Sequence, residues 1–430
     1  MPLTMSPSRA LWGVLPVACV VVATGALAAP QGLPWVAPTS APLPAWVASA
    51  RILKGDQPLL AAPQKDAARR GSAHRDARLP IFAARPGPGC DGRWLGVGPA
   101  AWVCEDAVEL SGNPAVSAGV RLIHAADGLP FRYFFVGPDG SFGYKRLDAV
   151  DIGEPDMQFE PGFAVAVVEE QAFEGSRYGR TNNDLWLPMR DLGPVSALAF
   201  RGAEIPPGAE GIPLAWVIAD RARVFERPSA AAITSATLAR FEKVLVLEEA
   251  RGFAGRFLRI GERAWVAARD VRHPTLVEPP AEVDADLGER WIDIELLSQT
   301  LVAYEGRRPI FATLVSTGKG RQGAFNATPT GVHRVWVKLL TSNMDNLEDE
   351  SAARFYRMED VPWVQYFSKG VGLHGAFWHR SFGRVRSHGC VNLAPLDAQW
   401  LFWWTSPHLP AGWTAALPTP HEIGSVVRVR

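Results

Sequence analysis

Two neighbouring stretches decide how this chain is read: Leu373-His374-Gly375-Ala376-Phe377-Trp378-His379 and Arg386-Ser387-His388-Gly389-Cys390-Val391-Asn392-Leu393. A thiol that attacks a carbonyl needs access to the thiolate, a base or imidazolium beside it, and hydrogen-bond donors for the oxyanion. Cys390 has two candidate partners. His388, two positions earlier, shares its face if the backbone is extended and is re-aimed if Gly389 makes a tight turn. His374, sixteen positions upstream, can arrive on a neighbouring strand and choose its angle. Gly389 lets the backbone N–H groups of Gly389 and Cys390 approach a substrate oxygen closely. Pro395 then suits a helix start, and Leu396, Trp400 and Trp403 or Trp404 recur at helical spacing. A helix N-terminus just past Cys390 is expected to lower the thiol pKa, although Ala394 stands where a capping Ser or Asp is expected.

Working outward, residues 291–295, 301–304 and 310–317 alternate as strands, and Thr328-Pro329-Thr330-Gly331 makes a turn before a strand over 332–340. A mainly antiparallel sheet follows. Residues 343–363 form an insertion carrying Asp345, Glu348, Asp349 and Glu350, read as a lid or a solvated surface.

On these residues the segment 289–430 resembles the L,D-transpeptidase catalytic domain family. The family signature is a His, a spacer, then Ser/Thr-His-Gly-Cys-apolar-Asn, which reads as His374 and Ser387-His388-Gly389-Cys390-Val391-Asn392. Upstream family features stand as Leu314-Val315-Ser316-Thr317-Gly318 and Thr328-Pro329-Thr330-Gly331. The resemblance implies a β-sandwich-like domain with a few short helices, Cys390 as nucleophile and His374 as general base. It also implies that the Gly375 carbonyl orients the imidazole, that Ser387, His388 and Asn392 shape the site, and that the Gly389 and Cys390 amides form the oxyanion hole. The implied partners are peptidoglycan stem peptides as donor and acceptor, joined through a cysteinyl thioester into diaminopimelate-to-diaminopimelate cross-links. No cofactor is needed, and carbapenems are expected to acylate the cysteine. Water as acceptor would give a carboxypeptidase; another amine would give exchange or wall-protein anchoring.

The spacer is short for the family and carries an extra pair, Trp378-His379, expected to narrow the cleft or touch substrate. Arg380, Arg384 and Arg386 lie between the motifs and can grip stem-peptide carboxylates, in a region with 14 basic and 11 acidic residues from 291 to 430. Two rivals come from other classes. His374, His379, His388 and Cys390 could hold zinc, but no HExxH or CxxC spacing and no neighbouring carboxylate supports it, so no metal is expected. A wall-binding scaffold with an idle cysteine is the other.

Upstream, three segments superimpose without gaps. Arg93-Trp94-Leu95 precedes Trp102-Val103, Arg177-Tyr178-Gly179-Arg180 precedes Trp186-Leu187, and Arg256-Phe257-Leu258-Arg259 precedes Trp265-Val266. In each copy an aromatic residue stands eight positions before a tryptophan, and Gly98, Asn182-Asn183 or Gly261 marks a hairpin turn. These copies resemble bacterial Src-homology-3-like domains, implying small barrels over 77–112, 113–205 (divergent) and 206–280, with the three tryptophans in their cores. The fold class expected for the whole is therefore mainly β: small barrels, then the sandwich-like domain.

At the start, Arg9 precedes an apolar run closing on Ala26-Leu27-Ala28, which reads as a secretory signal over 1–28, with an uncleaved anchor or a lipoprotein at Cys19 as alternatives. Residues 29–76, rich in Ala and Pro, read as a tether. Export to the periplasm or cell wall would leave Cys90, Cys104 and Cys390, of which Cys90 and Cys104 flank one strand-like segment and are the expected disulfide. Membrane contact is expected only if the signal stays uncleaved. With 44 basic and 44 acidic residues in 430, the chain lacks the field that would hold nucleic acid.

Overall fold

The computed structural model describes residues 41–115, 127–208, 211–252, 255–324, 326–346 and 356–430. The signal reading over 1–28 and the start of the tether lie outside them, as do residues 347–355 of the insertion. Among the described residues the α-helices are Ala149–Ile152 and Pro395–Trp404, and everything else of regular length is strand, so the mainly β class holds. No helix of the described residues is long and apolar enough to cross a membrane.

The C-terminal region is two sheets packed face to face. One has the order Ala203–Glu204, Arg308–Leu314, Thr300–Glu305, Arg290–Glu295, Val426–Val429, Gly331–Arg334. The other is built on Val337–Asp345, Arg357–Ser368, Val371–Gly375 and Val391–Leu393. Ile292, Leu301 and Phe311 from the first, Trp363, Leu373, Val391 and Leu393 from the second, and Leu401 and Phe402 from the helix form one buried cluster. That shared apolar layer is what makes the pair a sandwich.

Two strand expectations change. The single strand over 332–340 is two, Gly331–Arg334 and Val337–Asp345, one in each sheet; the chain crosses between them at buried Val335 and exposed Trp336. The insertion is largely a hairpin: its arms Val337–Asp345 and Arg357–Ser368 pair antiparallel, so only 347–355 remains undescribed between them.

The tether reading fails over its described part. Ser49–Ile52, Gln57–Leu60 and Arg69–Ala73 are strands, with Ala50, Ile52, Leu59 and Ala73 fully buried. Arg69–Ala73 pairs with Trp413–Ala416, and through it the first repeat joins the sheet that also contains the Val371–Gly375 strand. Small residues are needed because the two backbones meet closely: a Cβ on Gly71 would lie 2.4 Å from the Ala415 carbonyl oxygen and 2.7 Å from the Trp413 ring. Beside it, buried Arg70 donates to the Leu417 carbonyl and lies over the Trp413 ring.

All three repeats are hairpins: Trp94–Gly98 with Ala101–Cys104, Ser176–Thr181 with Trp186–Pro188, and Gly255–Gly261 with Ala264–Ala267. Each continues into a one-turn 3-10 segment, at Glu105–Ala107, Met189–Asp191 and Ala268–Asp270. The left-handed turn residue sits two positions before each tryptophan, at Ala100, Asp184 and Arg263, rather than at the marked Gly or Asn positions. Among the described residues no closed barrel forms; the sheets are open, and the first and second repeats share a sheet with the C-terminal region. Trp102 is buried, whereas Trp186 and Trp265 are half-buried. Cys90 and Cys104 are joined in a disulfide, their Cα atoms 5.6 Å apart.

Candidate active site

The site is assembled by strand register. Val371–Gly375 and Val391–Leu393 run parallel, with Leu373 opposite Val391, His374 opposite Asn392 and Gly375 opposite Leu393. Leu373, Val391 and Leu393 enter the shared core, so alternation sends His374 and Asn392 to the other face. Cys390, one residue before Val391, falls at the edge of that face, while its neighbour His388 is exposed and stacks on Tyr356, ring centroids 5.8 Å apart. Of the two candidate histidines, His374 is therefore the one on a neighbouring strand.

The turn leading into Cys390 is held from both sides. Ser387 Oγ accepts the Gly389 N–H at 3.1 Å and donates to the Cys390 carbonyl at 2.5 Å. The Thr328 hydroxyl donates to the Gly389 carbonyl at 2.6 Å and accepts the Gly318 N–H at 2.9 Å. Gly389 itself has φ +134°, a conformation that side chains with a Cβ rarely adopt. Ser316 exchanges both backbone bonds with Asn392, and Gln299 pins Thr317 through its N–H and hydroxyl at 2.8 and 2.5 Å. The two upstream motifs thus serve as the scaffold of the Cys390 turn. One expectation changes: the Gly389 N–H is consumed by Ser387 and is not free for an oxyanion.

Buried His374 sets its Nδ1 3.3 Å from the Gly375 carbonyl, which makes Nδ1 the protonated nitrogen and leaves Nε2 as the basic one. Burial holds this imidazole down to about 4, opposed by that hydrogen bond. Its ring lies over half-buried Trp378, 5.7 Å away at 23°. Burial also pushes the Cys390 thiol up, opposed by the Gly372 backbone N–H. The expected lowering by the helix does not arise, since the Pro395–Trp404 helix starts five residues on and Ala394 gives it no side-chain cap. Both shifts favour the neutral forms of the two groups.

The tentative substrate contacts divide. His379 is buried, with Ser381 N–H donating to Nδ1 at 3.1 Å and the Asn392 carboxamide 2.9 Å from Nε2, so both ring nitrogens are engaged within the protein. Burial, then Arg386, then His374 hold it down to about 3. Arg384 donates to the Ile218 carbonyl at 2.7 Å, docking the third repeat rather than facing a ligand. Arg380 and Arg386 are exposed. His, Cys and carboxylate atoms come within ligating distance at Cys90, Cys104 and Asp106 among the described residues, and those two sulfurs are spent in the disulfide.

Three contributors were not singled out from sequence. Tyr356 stacks on His388 and Tyr366 pairs with Gly372, whose N–H meets the Cys390 sulfur; both phenols are raised first by burial and further by Cys390. Tyr366 lies in the Arg357–Ser368 strand and Tyr356 immediately before it, and no local pattern links either to a cysteine. Asp397, fully buried in the first helical turn, accepts the Gly202 N–H at 2.8 Å and the Thr313 hydroxyl, tying the linker before the third repeat to the helix. Burial pushes it up to about 7, opposed by these bonds.

Residues 289–425 match the YkuD family model, the L,D-transpeptidase catalytic domain, about a third of the chain. Among solved structures, a cysteine-to-serine mutant of an Enterococcus faecium L,D-transpeptidase is 21% identical over 33% of this chain and 50% of that one, with a TM-score of 0.25. The catalytic domain of the E. faecium L,D-transpeptidase is 23% identical over 33% of this chain and 98% of that domain, TM-score 0.25. An L,D-transpeptidase from Mycobacterium smegmatis is 16% identical over 62% of this chain and 99% of that one, TM-score 0.25. The chain spans about half the length of the first of these. No curated protein matches.

Proposed function

We propose that this chain, whose residues 289–425 match the L,D-transpeptidase catalytic domain, is a peptidoglycan L,D-transpeptidase that works through a thioester on Cys390. The observation that carries the reading is the parallel strand register that sets His374 opposite Asn392, two residues after Cys390, with the imidazole tautomer set by the Gly375 carbonyl.

In this reading the resting pair is neutral, so the proton moves during attack rather than before it. As Cys390 Sγ bonds to the donor carbonyl carbon, the S–H proton passes to His374 Nε2 and the carbonyl oxygen becomes an oxyanion. The Cys390 N–H, for which no acceptor is found among the described residues, is the donor left open to it. Collapse breaks the amide bond, and the departing D-amino acid takes the proton from His374. The thioester then accepts the amine of a second stem peptide, His374 taking the amine proton and returning it to sulfur. The amide's energy is kept in the thioester, so no nucleotide is required. That suits export across the inner membrane, which the apolar run ending at Ala28 supports.

The test is incubation with disaccharide tetrapeptides and mass spectrometry of the products. Cross-linked dimers with release of D-Ala are expected. D-Ala without dimers would instead assign water as the acceptor.

A further inference from the structure

We infer that His379 is a positioning residue: it turns the Asn392 carboxamide so that the amide NH2 faces the reaction site as a hydrogen-bond donor to the carbonyl or carboxylate oxygens of the donor stem peptide. This rests on the proposed function and deepens it.

Hydrogen-bond parity at the His379 ring fixes which end of the amide faces it. Ser381 N–H points at His379 Nδ1, 3.1 Å away, so Nδ1 accepts. A neutral imidazole then carries its proton on Nε2. The Asn392 carboxamide lies 2.9 Å from that nitrogen. With Nδ2 toward the ring, both ring nitrogens would have to accept, which no neutral imidazole can do. Exchanging the isosteric amide ends puts Oδ1 on the Nε2–H and satisfies both ring nitrogens and the Ser381 N–H. The ring stays neutral because it is buried next to Arg386 and His374.

The consequence falls on the other end of the amide. Asn392 is 3% exposed, and its Oδ1, on the end turned away from His379, meets no donor among the described residues. After the exchange the amide NH2 takes that place, on the strand position opposite His374 and two residues from Cys390. Unpaired buried donors are costly unless something fills them. With the Gly389 N–H consumed by Ser387, the site otherwise offers a substrate oxygen few donors. Phe382, with its ring 5.0 Å from His379, and Trp378 at 6.1 Å hold the imidazole in place.

His379→Phe keeps the ring and removes the Nε2–H; His379→Gln restores a donor to Asn392 and an acceptor for Ser381. With the full chain, Cys390 acylation by a disaccharide tetrapeptide is expected to slow about tenfold or more in His379→Phe and Asn392→Ala, with no further loss in the double variant. His379→Gln is expected to recover most of the rate. The rate and pH profile of Cys390 alkylation by iodoacetamide, which needs no carbonyl donor, should not move. Independently of any activity, histidine ring 1H–15N spectra should show His379 as the Nε2–H tautomer with no titration between pH 5 and pH 8. Equal acylation by wild type and His379→Phe, additive loss in the double variant, His379→Gln as slow as His379→Phe, or an Nδ1–H tautomer would each overturn the inference. A wild-type chain that is never acylated at Cys390 would instead overturn the proposed function, and the tautomer spectra would still decide the placement of the amide.

Discussion

The Cys390 turn and the seam between Arg69–Ala73 and Trp413–Ala416 solve the same problem with different materials. Each brings two distant stretches of backbone together at a glycine, Gly389 in one and Gly71 in the other. At the turn, hydroxyls from Ser387 and Thr328 take up the backbone groups, and the glycine is needed for its φ of +134°. At the seam the glycine is needed because a Cβ has no room, and the polar help is one buried arginine on a carbonyl. The first kind of solution uses residues with distinctive chemistry; the second uses the absence of bulk.

The seam is where the largest stability effect is expected. Gly71→Val would drive a side chain into the Ala415 carbonyl and the Trp413 ring, with a loss of about 3 kcal/mol or more, read from denaturant midpoints. A loss under about 0.5 kcal/mol would mean the two strands do not pair and the first repeat is an appendage after all. Replacing Cys90 and Cys104 together by Ser should remove about 3 kcal/mol by freeing a loop of some fifteen residues in the unfolded chain, while leaving Cys390 acylation at 25 °C near wild type. A parallel collapse of acylation in the folded protein would couple the two regions more tightly than their separation suggests.

Lys338 offers a subtler probe, since it sits between the two. It pairs with Ala416 at the seam and sends its Nζ to the Phe402 and Thr405 carbonyls at the end of the helix that follows the Cys390 motif. Burial lowers its pKa to about 7, against about 10.4 for a free lysine. Between those values the unfolded chain holds a proton that the folded chain does not, so this group makes stability rise with pH from about 7 to about 10. Below pH 7 both states are protonated and its contribution is flat. Comparing Lys338→Met with wild type, the slope in that window should fall by up to about 1.4 kcal/mol per pH unit. Identical slopes would place the amine in water.

The same contrast explains what could be read from sequence. Cys390, His374 and the Ser387–Asn392 motif were legible because a thiol, an imidazole and a glycine turn at that spacing have few other uses. The hairpins were legible from the aromatic and tryptophan spacing. What failed was long-range: Ala50, Ala73 and Gly71 read as tether because small residues say nothing about a partner strand some 340 positions away. The single strand over 332–340 failed for a related reason, as nothing local marks where a chain changes sheets. His379 read as a substrate contact because its burial and its two hydrogen bonds depend on Ser381 and Asn392, which sequence could not orient.

In the proposed reaction Cys390 carries the acyl group. The most direct measurement is the intact mass of the protein mixed with a disaccharide tetrapeptide and stopped in acid, followed by peptide mapping. A single adduct equal to the donor less D-alanine, on Cys390 and missing from Cys390→Ala, is the predicted result. An adduct on another residue, or dimer formation that persists in Cys390→Ala, would contradict it.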